Sequence, residues 1–212
     1  MDAAARAREI VSRLTPLYPD LAPALDHRGA YELLVATVLA AQCTDARVNT
    51  VTPEFFRRWP DPAALAEADV AAVETVVHST GFFRQKAKNL VAAAKLLVAR
   101  HDGAIPASMA ALTALPGVAR KTANIVLSNA LGVHEGIAVD THVRRLANRL
   151  GLTASDNPII IEKDMMPLFA RKEWGAINHL LVLHGRAVCK ARSPRCDACV
   201  LGDICPRQGL RP

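Results

Sequence analysis

Apolar residues recur at helical intervals along much of the chain. Leu90, Ala94, Leu97 and Val98 form one stripe, and Val143, Leu146, Ala147 and Leu150 form another at positions i, i+3, i+4 and i+7. Spacing of three and four residues gathers side chains on one helix face, so both stripes predict helices with a buried side. The second stripe places a helix over His142 to Leu150. Breaks fall at Pro16 and Pro19, Pro53, Trp59 to Pro62, Gly81, Gly103 to Pro106, Pro116-Gly117, Gly132 to Gly136, Asn157-Pro158 and Gly185. The intervals between them are about ten to fifteen residues long, which predicts roughly ten helices with short connections. No solenoid-like repeat, low-complexity tract or long linker interrupts them.

The apolar run from Leu33 to Ala41 is far short of the ~20 residues needed to cross a bilayer. The N-terminal stretch carries Asp2 and Glu9 and lacks the apolar core of a signal peptide. A cytoplasmic location is therefore expected. Of the 212 residues, 51% are hydrophobic but only 4% aromatic, and Ala, Leu and Val predominate, which favours close-packed helices over a sheet-based core. That length suffices for one large domain or two smaller ones without disulfides. The formal charge of +6 fits a polyanionic partner, although a merely solubilising surface accounts for it equally well.

Chemistry enters with the cysteines. Cys189, Cys196, Cys199 and Cys205 crowd into seventeen residues with the spacing C-x6-C-x2-C-x5-C. In a reducing compartment they are not disulfide partners, and four unused thiols on one loop would invite oxidation. Four thiolates can enclose either a zinc ion or a cubane iron-sulfur cluster, and the spacing alone leaves both open. Cys43 lies in an apolar helical context and reads as a small buried residue, not a ligand.

A second constellation lies upstream. Leu115 to Gly132 reads as a tight Pro116-Gly117 turn feeding a helix, a geometry that presents backbone N–H groups to an anion such as a DNA phosphate. An ordinary helix connection is the plainer reading of the same turn. Lys121 falls in the first turn of that helix, where the positive end of the dipole disfavours an ammonium and favours a neutral, nucleophilic amine. A phosphate-binding surface lysine is the alternative. Asp140 precedes a helix and reads as its N-cap, but a carboxylate near a reactive amine can also accept a proton or stabilise positive charge at a sugar carbon.

Leu-Pro-Gly-Val-Ala-Arg-Lys-Thr-Ala-Asn from Leu115, Ala-Val-Asp-Thr-His-Val-Arg-Arg from Ala138 and the four-cysteine loop occur in that order. With them the chain resembles the endonuclease III family of helix-hairpin-helix DNA glycosylases, from Ala-Ala-Gln-Cys-Thr-Asp at Ala40 through to Cys205. The resemblance implies an all-α fold of two helical domains with a DNA cleft between them. One is a six-helix barrel with the helix-hairpin-helix over residues 23–131; the other is an iron-sulfur domain from residues 1–22 and 132–212. It implies a 4Fe-4S cluster on Cys189, Cys196, Cys199 and Cys205, with Lys121 as nucleophile and Asp140 as essential carboxylate.

On the same pattern the damaged nucleotide is flipped out of the stack. Lys121 attacks the sugar C1′, the base departs, and β-elimination from the resulting Schiff base cuts the strand. The hairpin residues Leu115, Gly117 and Ala119 would grip phosphate, Gln42 would fill the gap left by the flipped base, and Phe82 would occupy the wedge position. Lys190 and Arg192, with Arg195, would face DNA from the cluster loop. The expected partner is double-stranded DNA containing oxidised pyrimidines or abasic sites, bound by a monomer that associates with the nucleoid if the source is bacterial.

Three positions depart from the pattern. Ala119 stands where a second glycine is common, Phe82 where a smaller aliphatic is usual, and Cys43 where a small non-thiol residue is usual. An alanine at 119 would weaken the grip on phosphate if that position needs positive φ or a close approach of the phosphate. Related adenine- and thymine-mismatch glycosylases typically lack a nucleophile at the position of Lys121. A DNA-binding module without catalysis would not require Lys121 and Asp140 together.

Overall fold

Segments that are apolar on one face become surface helices, and the one that is apolar all round becomes the centre of a core. The computed structural model describes residues 1–19, 21 and 24–210. Among these residues the regular structure is helical throughout, with eleven α-helices and several short 3-10 turns. The chain divides into two compact units, Pro23–Glu135 and the combination of Met1–Ala22 with Gly136–Pro212. The break expected between residues 22 and 23 lies outside the described residues.

The Pro23–Glu135 unit holds seven of the helices. They are α2 (Ala30–Leu39), α3 (Asp45–Arg58), α4 (Pro62–Ala66), α5 (Val70–Val77), α6 (Phe83–His101), α7 (Met109–Thr113) and α8 (Arg120–Ala130). Every residue of α2 from Leu33 to Leu39 is buried, as expected of a helix with no polar face. It packs against α3, α6 and α8, while α4 and α5 cover α6. Tyr31, Phe55, Phe56 and Trp59 meet edge to face at one end of this core, and the Tyr31 hydroxyl donates to the Trp59 carbonyl at 3.0 Å. Residues 132–135 stay with this unit, because Val133 N donates to Leu127 O and the Glu135 carboxylate accepts from Met109 N.

The second unit contains α1 (Ala3–Leu14), α9 (Thr141–Arg149), α10 (Pro158–Met165) and α11 (Trp174–Ala187). Its core joins Ala7, Ile10 and Leu14 of α1 to Val143, Leu146 and Ala147 of α9 and to Ile177, Leu180 and Leu181 of α11. Both ends of the chain therefore build one core. Arg6 ties them further, donating to the carbonyls of Leu150, Gly151 and Ile204.

Three sequence expectations are corrected. Pro53 does not end a helix: α3 runs through it, and buried Val51 and Thr52 before it and Phe55 and Phe56 after it hold both halves to the core. That packing offsets the roughly 3 kcal/mol that an interior proline costs. Gly185 is likewise inside α11, where a Cβ would lie 2.9 Å from Arg145 Nη2 and 3.1 Å from Leu146 Cδ1, so the glycine serves the close approach of α11 to α9. Val98 is 40% exposed, at the margin of the α6 stripe whose other members are buried.

Candidate functional site

The turn between α7 and α8 is built by Pro116 and Gly117. Val118 N donates to Leu115 O at 3.1 Å, and Gly117 has φ +80°, which makes a type II turn with proline and glycine in their favoured central places. Leu115 and Val118 are buried and anchor its two ends, and the Leu115 N–H donates to Leu112 O at 3.1 Å. A Cβ on Gly117 would lie 2.8 Å from Asn89 Nδ2 and 2.9 Å from Asn89 Cβ in α6. Positive φ and close contact both require glycine here. Gly117→Ala is expected to cost about 1–3 kcal/mol, read by thermal unfolding, and to weaken binding to damaged and undamaged duplexes alike. A lowered melting point with unchanged DNA affinity would leave the turn a structural role only.

Ala119 is the N-cap of α8 with φ −86° and ψ 166°, a conformation open to any residue. Its methyl group therefore carries no backbone strain, which removes the conformational half of the concern its sequence raised. No side chain caps α8, and Ala119, Arg120 and Lys121 are exposed. An uncapped helix start with exposed Arg120 and Lys121 in its first turn is suited to an anion. Lys121 is the second residue of α8, as expected.

Two further residues of this unit are held in the left-handed region that side chains usually avoid. Gln42, in the turn after α2, has φ 54°, and Phe82, the residue before α6, has φ 48°. Both are exposed, and Phe82 exposes 68% of its surface, so it is no core aromatic. Cys43 follows Gln42 in the same turn, outside the helix its sequence context suggested, and is only half-buried.

In the other unit Asp140 caps α9. One carboxylate oxygen, Oδ1, accepts from His142 N and Val143 N, both at 2.8 Å. That leaves Oδ2 outside the cap on a half-buried side chain.

The four cysteines of the C-terminal loop are partly buried and surround a space lined by Leu146, Leu150, Val188 and Leu201. Burial pushes the Cys199 and Cys205 thiols up, and neighbouring cysteine sulfurs push them further. Thiolates so placed call for a cationic core. Zinc would draw its sulfurs to about 2.3 Å from one centre, whereas a cubane spreads four thiolates around a larger body. The all-sulfur donor set and its apolar walls fit an iron-sulfur cluster.

Sequence reading missed the groups that hold this loop. Buried Arg149 of α9 donates from Nη1 to Cys189 Sγ at 3.3 Å and to Lys190 O at 2.7 Å, and from Nη2 to Ala191 O at 2.9 Å. Arg145 donates to Cys189 O and Gly185 O, both at 3.1 Å. His184, whose pKa burial pushes down, lies between Tyr18 Oη at 3.2 Å and Cys199 Sγ at 3.3 Å. Their anchoring leaves the side chains of Lys190, Arg192 and Arg195 exposed. Nothing in composition marks Arg149 as buried; a charged residue in line with the α9 stripe was the one available sign.

A family model described as HhH-GPD superfamily base excision DNA repair protein matches residues 35–171, and one described as the iron-sulfur binding domain of endonuclease III matches residues 189–205. The chain is 51% identical to an endonuclease III of Synechocystis sp. over 201 residues, which are 95% of this chain and 92% of the relative. It superposes with a TM-score of 0.91 and 38% identity on a solved non-covalent endonuclease III–DNA complex, covering 98% of this chain and 97% of that one. A trapped covalent intermediate of endonuclease III with DNA gives the same values.

Proposed function

Since the chain belongs to the endonuclease III family of the HhH-GPD superfamily of base excision DNA repair proteins, we propose that its substrates are oxidised pyrimidines and abasic sites in double-stranded DNA, with Lys121 as nucleophile and Asp140 as the essential carboxylate. The protein is a DNA glycosylase with abasic-site lyase activity, it binds DNA, and it carries the family's 4Fe-4S cluster. No helix among the described residues is long and apolar enough to cross a membrane.

The observation that carries the proposal is an exposed lysine in the first turn of an uncapped helix, just after a turn whose positive φ and close approach to Asn89 favour glycine. A phosphate held by the N–H groups of that turn would fix the DNA backbone beside Lys121. The lysine, as free amine, attacks C1′ of the flipped nucleotide; the base leaves with the bonding pair, and opening of the sugar ring gives the imine. Loss of a C2′ proton then expels the 3′ phosphate and cuts the strand. Asp140, with Oδ2 outside its helix cap, is the group to take up a proton or to stabilise positive charge at the sugar.

Four iron–thiolate bonds to Cys189, Cys196, Cys199 and Cys205 are what the cluster supplies when bound. The loop so held presents Lys190 and Arg192 to phosphates; the hairpin backbone at Gly117 and Ala119, anchored by Leu115, does the same, Gln42 fills the flipped-out gap and Phe82 wedges the stack. We propose a monomer that associates with the nucleoid if the source is bacterial. Incision of duplexes carrying one thymine glycol, one abasic site, one uracil or no lesion tests the substrate assignment. Cleavage of the first two alone is expected, and incision at uracil in preference to thymine glycol would overturn it.

A further inference from the structure

Lys86 is a lysine that folding has taken out of water. It lies on α6, exposes 5% of its surface, and burial pushes its pKa down. Desolvating an ammonium is unfavourable unless its donors are satisfied. Here Nζ donates to two backbone carbonyls, Leu39 O and Thr80 O, each at 2.8 Å. Leu39 is the last residue of α2, and Thr80 ends the short 3-10 turn His78–Thr80. Both carbonyls belong to helix ends that have run out of backbone donors, where a cation is welcome.

The residues just downstream of each carbonyl make the contact more than a cap. Three residues beyond Leu39 stands Gln42, and two residues beyond Thr80 stands Phe82. Both are exposed and both sit at positive φ. One nitrogen holding both oxygens keeps them within twice 2.8 Å of each other, so the roots of the two loops share a single tie. A left-handed, exposed residue on each loop persists only where its surroundings over-determine it. We propose that Lys86 is a positioning residue that sets the spacing of the Gln42 and Phe82 loops for entry into the duplex. The inference rests on the reading of those two side chains as DNA-inserting groups.

The test uses the full-length, cluster-loaded protein with Lys86→Met, which keeps the volume and removes the donors, beside Gln42→Ala, Phe82→Ala and the Lys86→Met/Gln42→Ala double variant. Two rates are measured: single-turnover release of thymine glycol from a duplex, and strand cleavage at an abasic site in a single-stranded oligonucleotide, where no gap needs filling. Lys86→Met is expected to slow the duplex reaction about ten- to a hundredfold, as a misplaced positioning group does, and to leave single-strand cleavage within about twofold of wild type. The double variant should lose much less than the product of the two single losses.

Equal losses on both substrates, or full additivity in the double variant, would mean that Lys86 only supports the fold. Duplex defects in Gln42→Ala and Phe82→Ala beside a wild-type Lys86→Met would overturn the Lys86 proposal alone. Wild-type duplex rates in both loop variants would overturn the loop reading and this inference with it. If Lys86→Met does not fold, Lys86→Arg retains charge and donors with altered reach, and the same duplex-selective loss is expected; its absence counts against the proposal.

Discussion

Replacing Lys121 by alanine is expected to abolish the covalent protein–DNA adduct that borohydride traps on a thymine glycol duplex, and to lower single-turnover base release on the order of 10⁴-fold or more. Lys121 is exposed on the second position of α8, so its truncation leaves the core untouched, and the variant should keep its melting point, its cluster absorbance and much of its affinity for DNA. Asp140 divides differently, because one carboxylate performs two tasks. Asp140→Asn retains an oxygen to accept from His142 N and Val143 N and caps α9 as well as aspartate does. It should fold normally and lose on the order of 10²–10⁴ in rate. Asp140→Ala should lose the rate and, in addition, about 1 kcal/mol of stability with the cap. A fully active Asp140→Asn enzyme would reduce Asp140 to a helix cap. A trapped adduct persisting in Lys121→Ala would move the nucleophile elsewhere.

Loss of the cluster is the second large effect. Among the described residues, 189–205 contain one regular element, the three-residue turn Cys196–Ala198. Contacts from Arg145, Arg149 and His184 hold the first and third cysteines, Cys205 Sγ reaches Arg149 O at 3.4 Å, and iron–sulfur bonds would close the loop when the cluster is bound. Cys199→Ser should yield colourless protein whose melting point is lower by roughly 6–12 °C, if the cross-link is worth about 3 kcal/mol, the scale of closing a loop of some fifteen residues. Hydrogen exchange should rise in α9 and α11, whose side chains anchor the loop, and stay low in α6 of the other unit. A colourless variant with unaltered melting and exchange would show that protein contacts alone support the loop.

Local chemistry was legible in the sequence where its partners are also local. Pro116-Gly117 announces a turn because each residue constrains its own φ, Asp140 reads as a cap because the N–H groups it accepts from lie two and three residues on, and the α9 stripe is buried as its period requires. The cysteine ligands advertise themselves because a cluster needs four thiolates on one stretch. Errors arose where tertiary packing outweighed a local rule: Pro53 inside α3, Gly185 inside α11 and Val98 at the surface. Lys86, Arg149 and His184 were illegible for a related reason. Each is a polar side chain whose meaning comes from partners distant along the chain, Leu39 for the first, Cys189 for the second, Tyr18 and Cys199 for the third. Those separations run from 15 residues for His184 and Cys199 to 166 for His184 and Tyr18, beyond the reach of any capping or turn rule.

That both chain ends build one core has a consequence for synthesis on the ribosome. The Pro23–Glu135 unit has all of its helices once residue 135 has emerged and can close while translation continues. Helix α1 is made first but finds its partners last: Ala7, Ile10 and Leu14 must wait for α9 and α11, and Arg6 for the carbonyl of Ile204. A nascent chain therefore carries the unmated apolar face of α1 until α9 and α11 have been made. Completion of this unit, and with it cluster insertion, waits until the segment through Cys205 has been made and can meet a helix synthesised some two hundred residues earlier.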